Sequence, residues 1–479
     1  MKNTMKNLYK IAGILGLLLM FSCESADVLV PTPGNEVTGI RIMLPDGSNT
    51  DFAVTPDENN IIKLEVDGSL KTDLAKIRMS VSIPNNATVE SSVPLGEYMD
   101  FSKPVSFDVI GADGAKQTYT VQLRVVPTAI DVKELWKKTA AELNFVSNNN
   151  GAIAFSGNYL VVHERTKFDY YNLQDGTKAG TLSFEGIDWN TLTRTVPLYM
   201  AGDDAGNIVA SNFYMTRWMP AGGTNTIHMF WWEGVTAKPK LLFSYDVDID
   251  KPGNIDVGRK IYVRGDISKH AFLYMGVSFQ NMFLRWEIQN GQVVSEQPDK
   301  IEYDPGYQMG MQPTIVPVEF GKNANYFIPR YDNGIGKVAI TYMDGTTNKP
   351  IYASEHHIQN VFHQWLTNED SGVGHSFDYV NMNGAKYIFL IEQDYYYWMR
   401  EIFQVRPMMK DPSSVKSIVN LIHTRKWNDW LYFPLDSSYG KNGNVTGDVT
   451  IRVAPDGNSC TVAFLCTNSG VIVWNVNLE

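Results

Sequence analysis

From Thr128 onward the chain repeats itself, and a repeat limits the possible folds more than any local signal. The clearest unit is "RKIYVRGDISKHAFLYMGVSFQNMFLRWEIQNGQVVSEQ", Arg259 to Gln297, which reads as four strands: "KIYVRGD", "AFLYMGVS", "MFLRWEIQ" and "QVVSEQ". Related units are "GAIAFSGNYLVVHERTKFDYYNLQDGTKAGTLSF", "YMAGDDAGNIVASN" with "IHMFWWEGVTAKPKLLF", and "TIVPVEFGKNANYFIPRYDNGIGKVAITYMDGTTNKPIYA". "SFDYVNMNGAKYIFLIEQDYYYWMREIFQV" and "GDVTIRVAPDGNSCTVAFLCTNSGVIVWNVNLE" complete the set. In each, an apolar strand follows a polar turn, a second strand ends in a short polar turn, and an aromatic strand runs into a turn. Six such units, spaced by about 45 to 70 residues, with four antiparallel strands each, predict a six-bladed β-propeller over 128–479.

The last unit supplies three strands, which would leave an open edge in the ring. The segment "TAIDVKELWKKT" is apolar at Ile130, Val132, Leu135 and Trp136. It is expected to add the missing strand over Ile130 to Trp136. The competing reading is a short helix, since "VKELWKKTAAEL" is rich in helix formers.

Ahead of the repeats, residues 36–127 carry short alternating strands: "VTGIRIML", "IIKLEVD", "IRMSVSI", "VSFDVIG" and "TYTVQLRVV". Turn residues such as Pro45-Asp46-Gly47 and Asp113-Gly114 separate them, and the pattern predicts a β-sandwich. The chain opens with Lys2, Lys6 and Lys10 before an apolar run, Ile11 to Phe21, too short to span a bilayer stably; this is a secretory signal over 1–22. Cys23 follows Ser22 directly, and 23–35 reads as a polar, Pro/Gly-bearing tether.

Two of these stretches carry a family resemblance. "MFSC" resembles a lipobox, in which the signal is cut before the cysteine and lipid is added to it, here Cys23. "DFSKPVSFDVIGADGAKQTYTVQL" resembles the last strands of Ig-like sandwich domains at the N-termini of Bacteroidetes surface lipoproteins. The resemblance implies an all-β chain, an Ig-like spacer followed by a propeller. It also implies an outer-membrane lipoprotein at the cell surface, the periplasm-facing leaflet being the alternative. Membrane contact would then run through the lipid alone.

The formal net charge is -11, and -14 without the signal segment. There is no Lys/Arg run, so nucleic acid is not an expected partner. Cys460 and Cys466 lie in one strand-like run, six residues and roughly 20 Å apart, too far for a disulfide; they read as small buried side chains.

In a propeller, the connections between blades and the turns between second and third strands share one face. Two of these connections, "SEHHIQNVFHQWLTNEDSGVGH" and "IHTRKWNDWLYFPLDSSYGKNGNVTG", are longer than inert turns require. The loops of this face gather Trp189, Trp218, Trp365, Trp427 and Trp430 with Arg217, Arg330 and Asp332. Tyr395 joins them from "EQDYYYWMREIF", most of which reads as a packed third strand. Aromatic faces stack on the C–H face of a pyranose, and Arg and Asp pair with its hydroxyls. Trp231, Trp232, Trp286, Trp398 and Trp474 fall instead on third strands and read as core.

The expected function is therefore capture of a polysaccharide or oligosaccharide, with an outer-membrane importer complex of polysaccharide utilisation as an expected partner. An alternative is a polysaccharide lyase or glycoside hydrolase using the same face; a third is a protein-binding scaffold. Asp188, Asp203, Asp332, Asp370 and Glu392 are carboxylates without a catalytic motif. His356, His357, His363 and His375 cluster in one connection, a spacing at which imidazoles could bind a metal, but no HExxH or HxH signature accompanies them and no phosphate or dinucleotide loop is present. No catalytic residue, metal or cofactor is assigned.

Overall fold

The computed structural model describes residues 34–146, 151–164, 167–187, 199–212, 214–215, 225–250, 255–307, 309–310, 312–332, 337–353, 374–393, 398–405, 415–417 and 447–479. Among them there is no α-helix, and the chain is all-β. It divides into two compact units, Met1–Thr128 and Ala129–Glu479.

The first unit holds β1 (Gly39–Met43), β2 (Asn49–Ala53), β3 (Ile61–Gly68), β4 (Ile77–Ser82), β5 (Thr88–Ser91), β6 (Tyr98–Met99), β7 (Val105–Ile110) and β8 (Lys116–Pro127). They form two sheets, β2-β1-β4-β6 and β3-β8-β7-β5, with β3 and β8 parallel. Alternation along β3 sends Ile62, Leu64 and Val66 inward, where they share one core with Ile40, Ile42 and Met79 of the other sheet. The Tyr119 hydroxyl donates to the Asn35 carbonyl at 3.1 Å, tying Asn35 to this unit.

Among the described residues, the second unit begins with β9 (Ile130–Thr139) and then lays down six sheets in chain order. The first holds β10 (Ile153–Ser156), β11 (Tyr159–Glu164), β12 (Lys167–Asn172) and β13 (Lys178–Thr181). In the second, β14 (Tyr199–Gly202) and β15 (Ile208–Ser211) are followed, after the short β16 (Tyr214–Met215), by β17 (Thr226–Trp232) and β18 (Lys240–Asp246). The third holds β19 (Asp256–Asp266), β20 (His270–Ser278), β21 (Met282–Gln289), β22 (Gln292–Val293) and β23 (Asp299–Glu302). The fourth holds β24 (Val316–Pro317), β25 (Tyr326–Asp332), β26 (Lys337–Met343) and β27 (Pro350–Ala353). The fifth holds β28 (Gly374–Met382), β29 (Ala385–Gln393), β30 (Trp398–Val405) and β31 (Val415–Ser417). The last is β32 (Gly447–Val453), β33 (Ser459–Cys466) and β34 (Gly470–Leu478), completed by β9, which pairs antiparallel with β34. The segment Ile130 to Trp136 is thus the fourth strand of the last sheet, not a helix.

Aromatic contacts link each sheet to the next: Phe168 to Trp232 (6.0 Å between ring centroids), Tyr245 to Trp286 (5.5 Å), Phe283 to Tyr326 (5.2 Å), Phe327 to Tyr379 (5.5 Å) and Phe389 to Phe464 (6.5 Å). Trp136 of β9 meets Tyr171 of the first sheet at 6.5 Å, so the sixth sheet packs on the first. Trp231, Trp232, Trp286 and Trp474 are buried on third strands, as the repeat alignment expects. Cys460 and Cys466 are both buried, and they form no disulfide with each other.

The third sheet departs from expectation in two ways. "QVVSEQ" contributes only the two residues of β22, and β23 covers the other half of β21, pairing Met282 with Glu302. Meanwhile β16, from a connection of the second sheet, pairs with the inner edge of β19 at Asp256–Val257.

Candidate functional site: a polar cavity among the first strands

The first strands of the sheets lie against one another and enclose a cavity of about 320 Å³. Its walls include Phe155, Gly202, Thr314, Asp378 and Asp448, each from a different sheet or the approach to one, together with β19. β19 runs "DVGRKIYVRGD", and alternation puts Lys260, Tyr262 and Arg264 on one side of the strand. All three line the cavity.

At the floor, the Lys260 ammonium forms an ion pair with Asp448 on the sixth sheet. Both are buried, at 8% and 4% exposure. Asp448 also accepts the N–H of Ile153 at 2.9 Å and of Val449 at 2.8 Å. Burial pushes its carboxyl above the usual range, against the pull of Lys260. The pair links the third sheet to the sixth across the space between them, and these hydrogen bonds offset part of its desolvation.

Asp378 repeats this arrangement one sheet earlier. It accepts from its neighbour Tyr379 N–H at 2.8 Å and from Ile451 N–H of the next sheet at 3.0 Å. The Tyr262 hydroxyl is its third donor, at 2.8 Å. Burial raises its pKa to about 6, with Arg264 and these donors pulling the other way. Burial also holds the Tyr262 phenol well above its ordinary value.

Arg264 completes the wall. It donates to Asp204 at 3.1 Å, to the Tyr262 oxygen at 2.9 Å and to the Pro317 carbonyl at 2.8 Å. Its guanidinium therefore ties the second, third and fourth sheets together. Asp203, beside it in the turn after β14, accepts from Ala205, Asn207 and Ile267 N–H groups and from the Asn207 side chain. Burial raises its pKa, but its hydrogen bonds serve the turn.

At the other end of the cavity, Arg452 donates to the Gly157 carbonyl and lies 5.5 Å over the Phe155 ring. Gly157 and Gly206 both adopt positive φ, 54° and 90°, in turns that follow first strands. A Cβ on Gly206 would come within 3.1 Å of the Gly157 nitrogen, so these two turns approach too closely for a side chain there.

Of the residues expected from sequence to hold a ligand, Arg330 and Asp332 lie at the end of β25, their backbones paired with Ala339 and Lys337. Trp189, Arg217, Trp218, Trp365, Tyr395, Trp427, Trp430 and the lipidation candidate Cys23 lie outside the described residues. Among the described residues, Asp203 is a carboxylate expected from sequence that does line the cavity. Lys260, Tyr262, Arg264, Asp378, Asp448 and Arg452 were not singled out. For the first three a signal was available: in "KIYVR" Lys260, Tyr262 and Arg264 alternate with aliphatic Ile261 and Val263 on a strand otherwise built for burial. Among the described residues no cluster of His, Cys, Asp and Glu has metal-site geometry.

The structure is similar to the crystal structure of a DUF4623 family protein from Bacteroides eggerthii, with 15% identity and a TM-score of 0.50, over 93% of this chain and 98% of that one. This is a likeness of fold. An α-L-arabinanase from Penicillium chrysogenum, complexed with arabinobiose, matches at 10% identity and a TM-score of 0.42, over 74% of this chain and 99% of that one. No curated protein matches the sequence. Residues 134–477 match the family described as "Domain of unknown function (DUF8500)", and the chain belongs to that family.

Proposed function

We propose that this protein is a lipid-anchored carbohydrate-binding protein of the cell surface. In this reading the second unit is a six-bladed β-propeller, the first an Ig-like spacer, and Cys23 the attachment to an outer membrane. The observation that carries the reading is the cavity between the first strands. Its volume, about 320 Å³, is at the small end of ligand sites and suits one sugar residue or a chain end better than a polymer laid sideways. Its walls mix carboxylates, a phenol, an ammonium and guanidinium groups already held in place by one another. Sugar hydroxyls both donate and accept, and a fixed array of both kinds binds them at little ordering cost. The aromatic loop residues Trp189, Trp218, Trp365, Trp427 and Trp430, with Tyr395, Arg217, Arg330 and Asp332, would extend contact to further sugars.

The test is binding to a glycan panel by calorimetry. The double variant Lys260→Met/Asp448→Leu removes the ion pair without stranding either charge. Loss of binding in a folded double variant supports the cavity. Binding that survives it, yet disappears on replacing Trp218, Trp365 and Trp430 by Ala, moves the site to the loops. No binding to any glycan rejects the reading.

A second reading, cleavage of the bound glycan, is favoured by Asp378. A buried carboxyl with a pKa near 6 is suited to act as a general acid. Release of product by the native chain, lost in Asp378→Asn with binding retained, would establish it.

A further inference from the structure

Two cation–carboxylate pairs line the cavity, and its other two carboxylates are held by hydrogen bonds. Lys260 faces Asp448, and Arg264 faces Asp204. Asp203 is saturated by four donors of its own turn and its surroundings, and Asp378 accepts three hydrogen bonds with Arg264 nearby. Arg452 is different. Among the described residues no carboxylate pairs with it, and it donates to a neutral carbonyl, that of Gly157. Its side chain lies against the Phe155 ring, and burial lowers its pKa with no anion acting in the other direction.

The place of Arg452 matters as much as its solitude. The first strands enter the cavity at Lys260 and Asp448 and leave it toward Gly157, Gly206 and Val453, which lie in or beside the turns that follow those strands. At the entering end, the ion pair forms the floor, and β16 adds to β19 at Asp256–Val257 beyond it. Val453, by contrast, is 41% exposed. Among the described residues, the exposed end is thus the one with Arg452 on its rim.

We propose that the cavity receives a sugar bearing an acidic group, and that Arg452 grips that group while the hydroxylated ring sits among Lys260, Asp378 and Asp448. The proposal rests on the carbohydrate reading above and sharpens it to a ligand class. A guanidinium has five N–H donors in a planar fork, which matches two oxygens of a carboxylate or a sulfate ester. A neutral sugar would leave this half-buried cation without a counter-charge.

The experiment compares three oligosaccharides of equal length with the full chain: an oligogalacturonate, its carboxyl-reduced neutral counterpart, and a sulfated derivative of that counterpart. At least one acidic form is expected to bind about tenfold or more tightly than the neutral one, with the preference falling as salt rises. Which acidic form wins identifies carboxylate or sulfate as the group. Arg452→Gln should bring the acidic-to-neutral ratio close to one, and Arg452→Lys should keep part of it. Circular dichroism of both variants checks the fold, and Arg452→Lys carries the test if Arg452→Gln does not fold. Equal binding of acidic and neutral forms overturns the acidic-ligand proposal and leaves the carbohydrate reading standing. A preference that persists in folded Arg452→Gln overturns the role of Arg452. Absence of binding here and across a broad neutral panel overturns the carbohydrate reading itself.

Discussion

At the scale of single residues, two buried groups make the second unit respond to acid in opposite senses. His163 on β11 is fully buried, its Nδ1 accepting from Gly151 N–H at 3.2 Å between the rings of Phe168 and Tyr199. Burial lowers its pKa to about 3. The unfolded chain then takes up a proton near pH 6.5 that the folded chain refuses, so stability present above that pH is lost as pH falls. Asp378 does the reverse. Its folded pKa, about 6, exceeds the ordinary value of 3.8, so it contributes stability at low pH that is lost as pH rises through 6. Between pH 7 and 4.5 the His163 contribution to stability falls by about 2 to 3 kcal/mol, and that of Asp378 grows by about 2 kcal/mol. Urea unfolding at the two pH values should therefore show His163→Gln losing less stability on acidification than the native chain, and Asp378→Asn losing more. Identical pH dependence in all three proteins would contradict both assignments. Neither residue stood out in the sequence, because what perturbs them is burial between neighbouring sheets, which no local pattern encodes.

At the scale of elements, β9 shows what a sequence can reveal. Its role was legible because a three-stranded last unit needs an edge partner, and the alternation Ile130, Val132 provides one. Local helix propensity in "KELWKKTAAEL" loses to the ladder that β34 offers along nine residue pairs. Trp136 then locks the closure: its indole N–H donates to the Leu173 carbonyl of the first sheet at 3.1 Å, and it packs with Val473 and Tyr171. Trp136→Ala should cost about 3 to 5 kcal/mol, read from denaturant midpoints. Gly176 lies beneath the same ring with φ of 70°, and a Cβ there would approach it to 2.7 Å. Gly176→Ala should therefore also destabilise, by about 1 to 3 kcal/mol. Deleting residues 128–138 should abolish cooperative unfolding of the second unit; an unchanged melting temperature would show that the ring does not depend on this strand. Other elements were hidden. β16 is two residues within a connection, and β23 lies beyond a turn that itself resembled a strand. Even the visible Lys260-x-Tyr262-x-Arg264 pattern gave no hint of its partners, since Asp378, Asp448 and Asp204 come from three other sheets.

At the scale of the whole chain, the two units differ in what holds them together. The first has a single core between two sheets, with β3 and β8 joined in parallel along eight residue pairs. The second unites its ends: the Glu479 N–H donates to the Ala129 carbonyl at 2.9 Å, directly after the last residue of the first unit. Each unit thus has its own core and its own terminal hydrogen bonds, the conditions under which domains fold alone. A chain cut to 129–479 should keep the melting transition of the second unit and its affinity for any glycan that the full chain binds. A chain cut to 34–128 should fold and bind none. If the first unit is a spacer, removing it alters only how far the cavity stands from the membrane. Loss of glycan affinity in a folded 129–479 fragment, restored when 34–128 is rejoined, would instead make the first unit part of the binding surface and end the spacer reading.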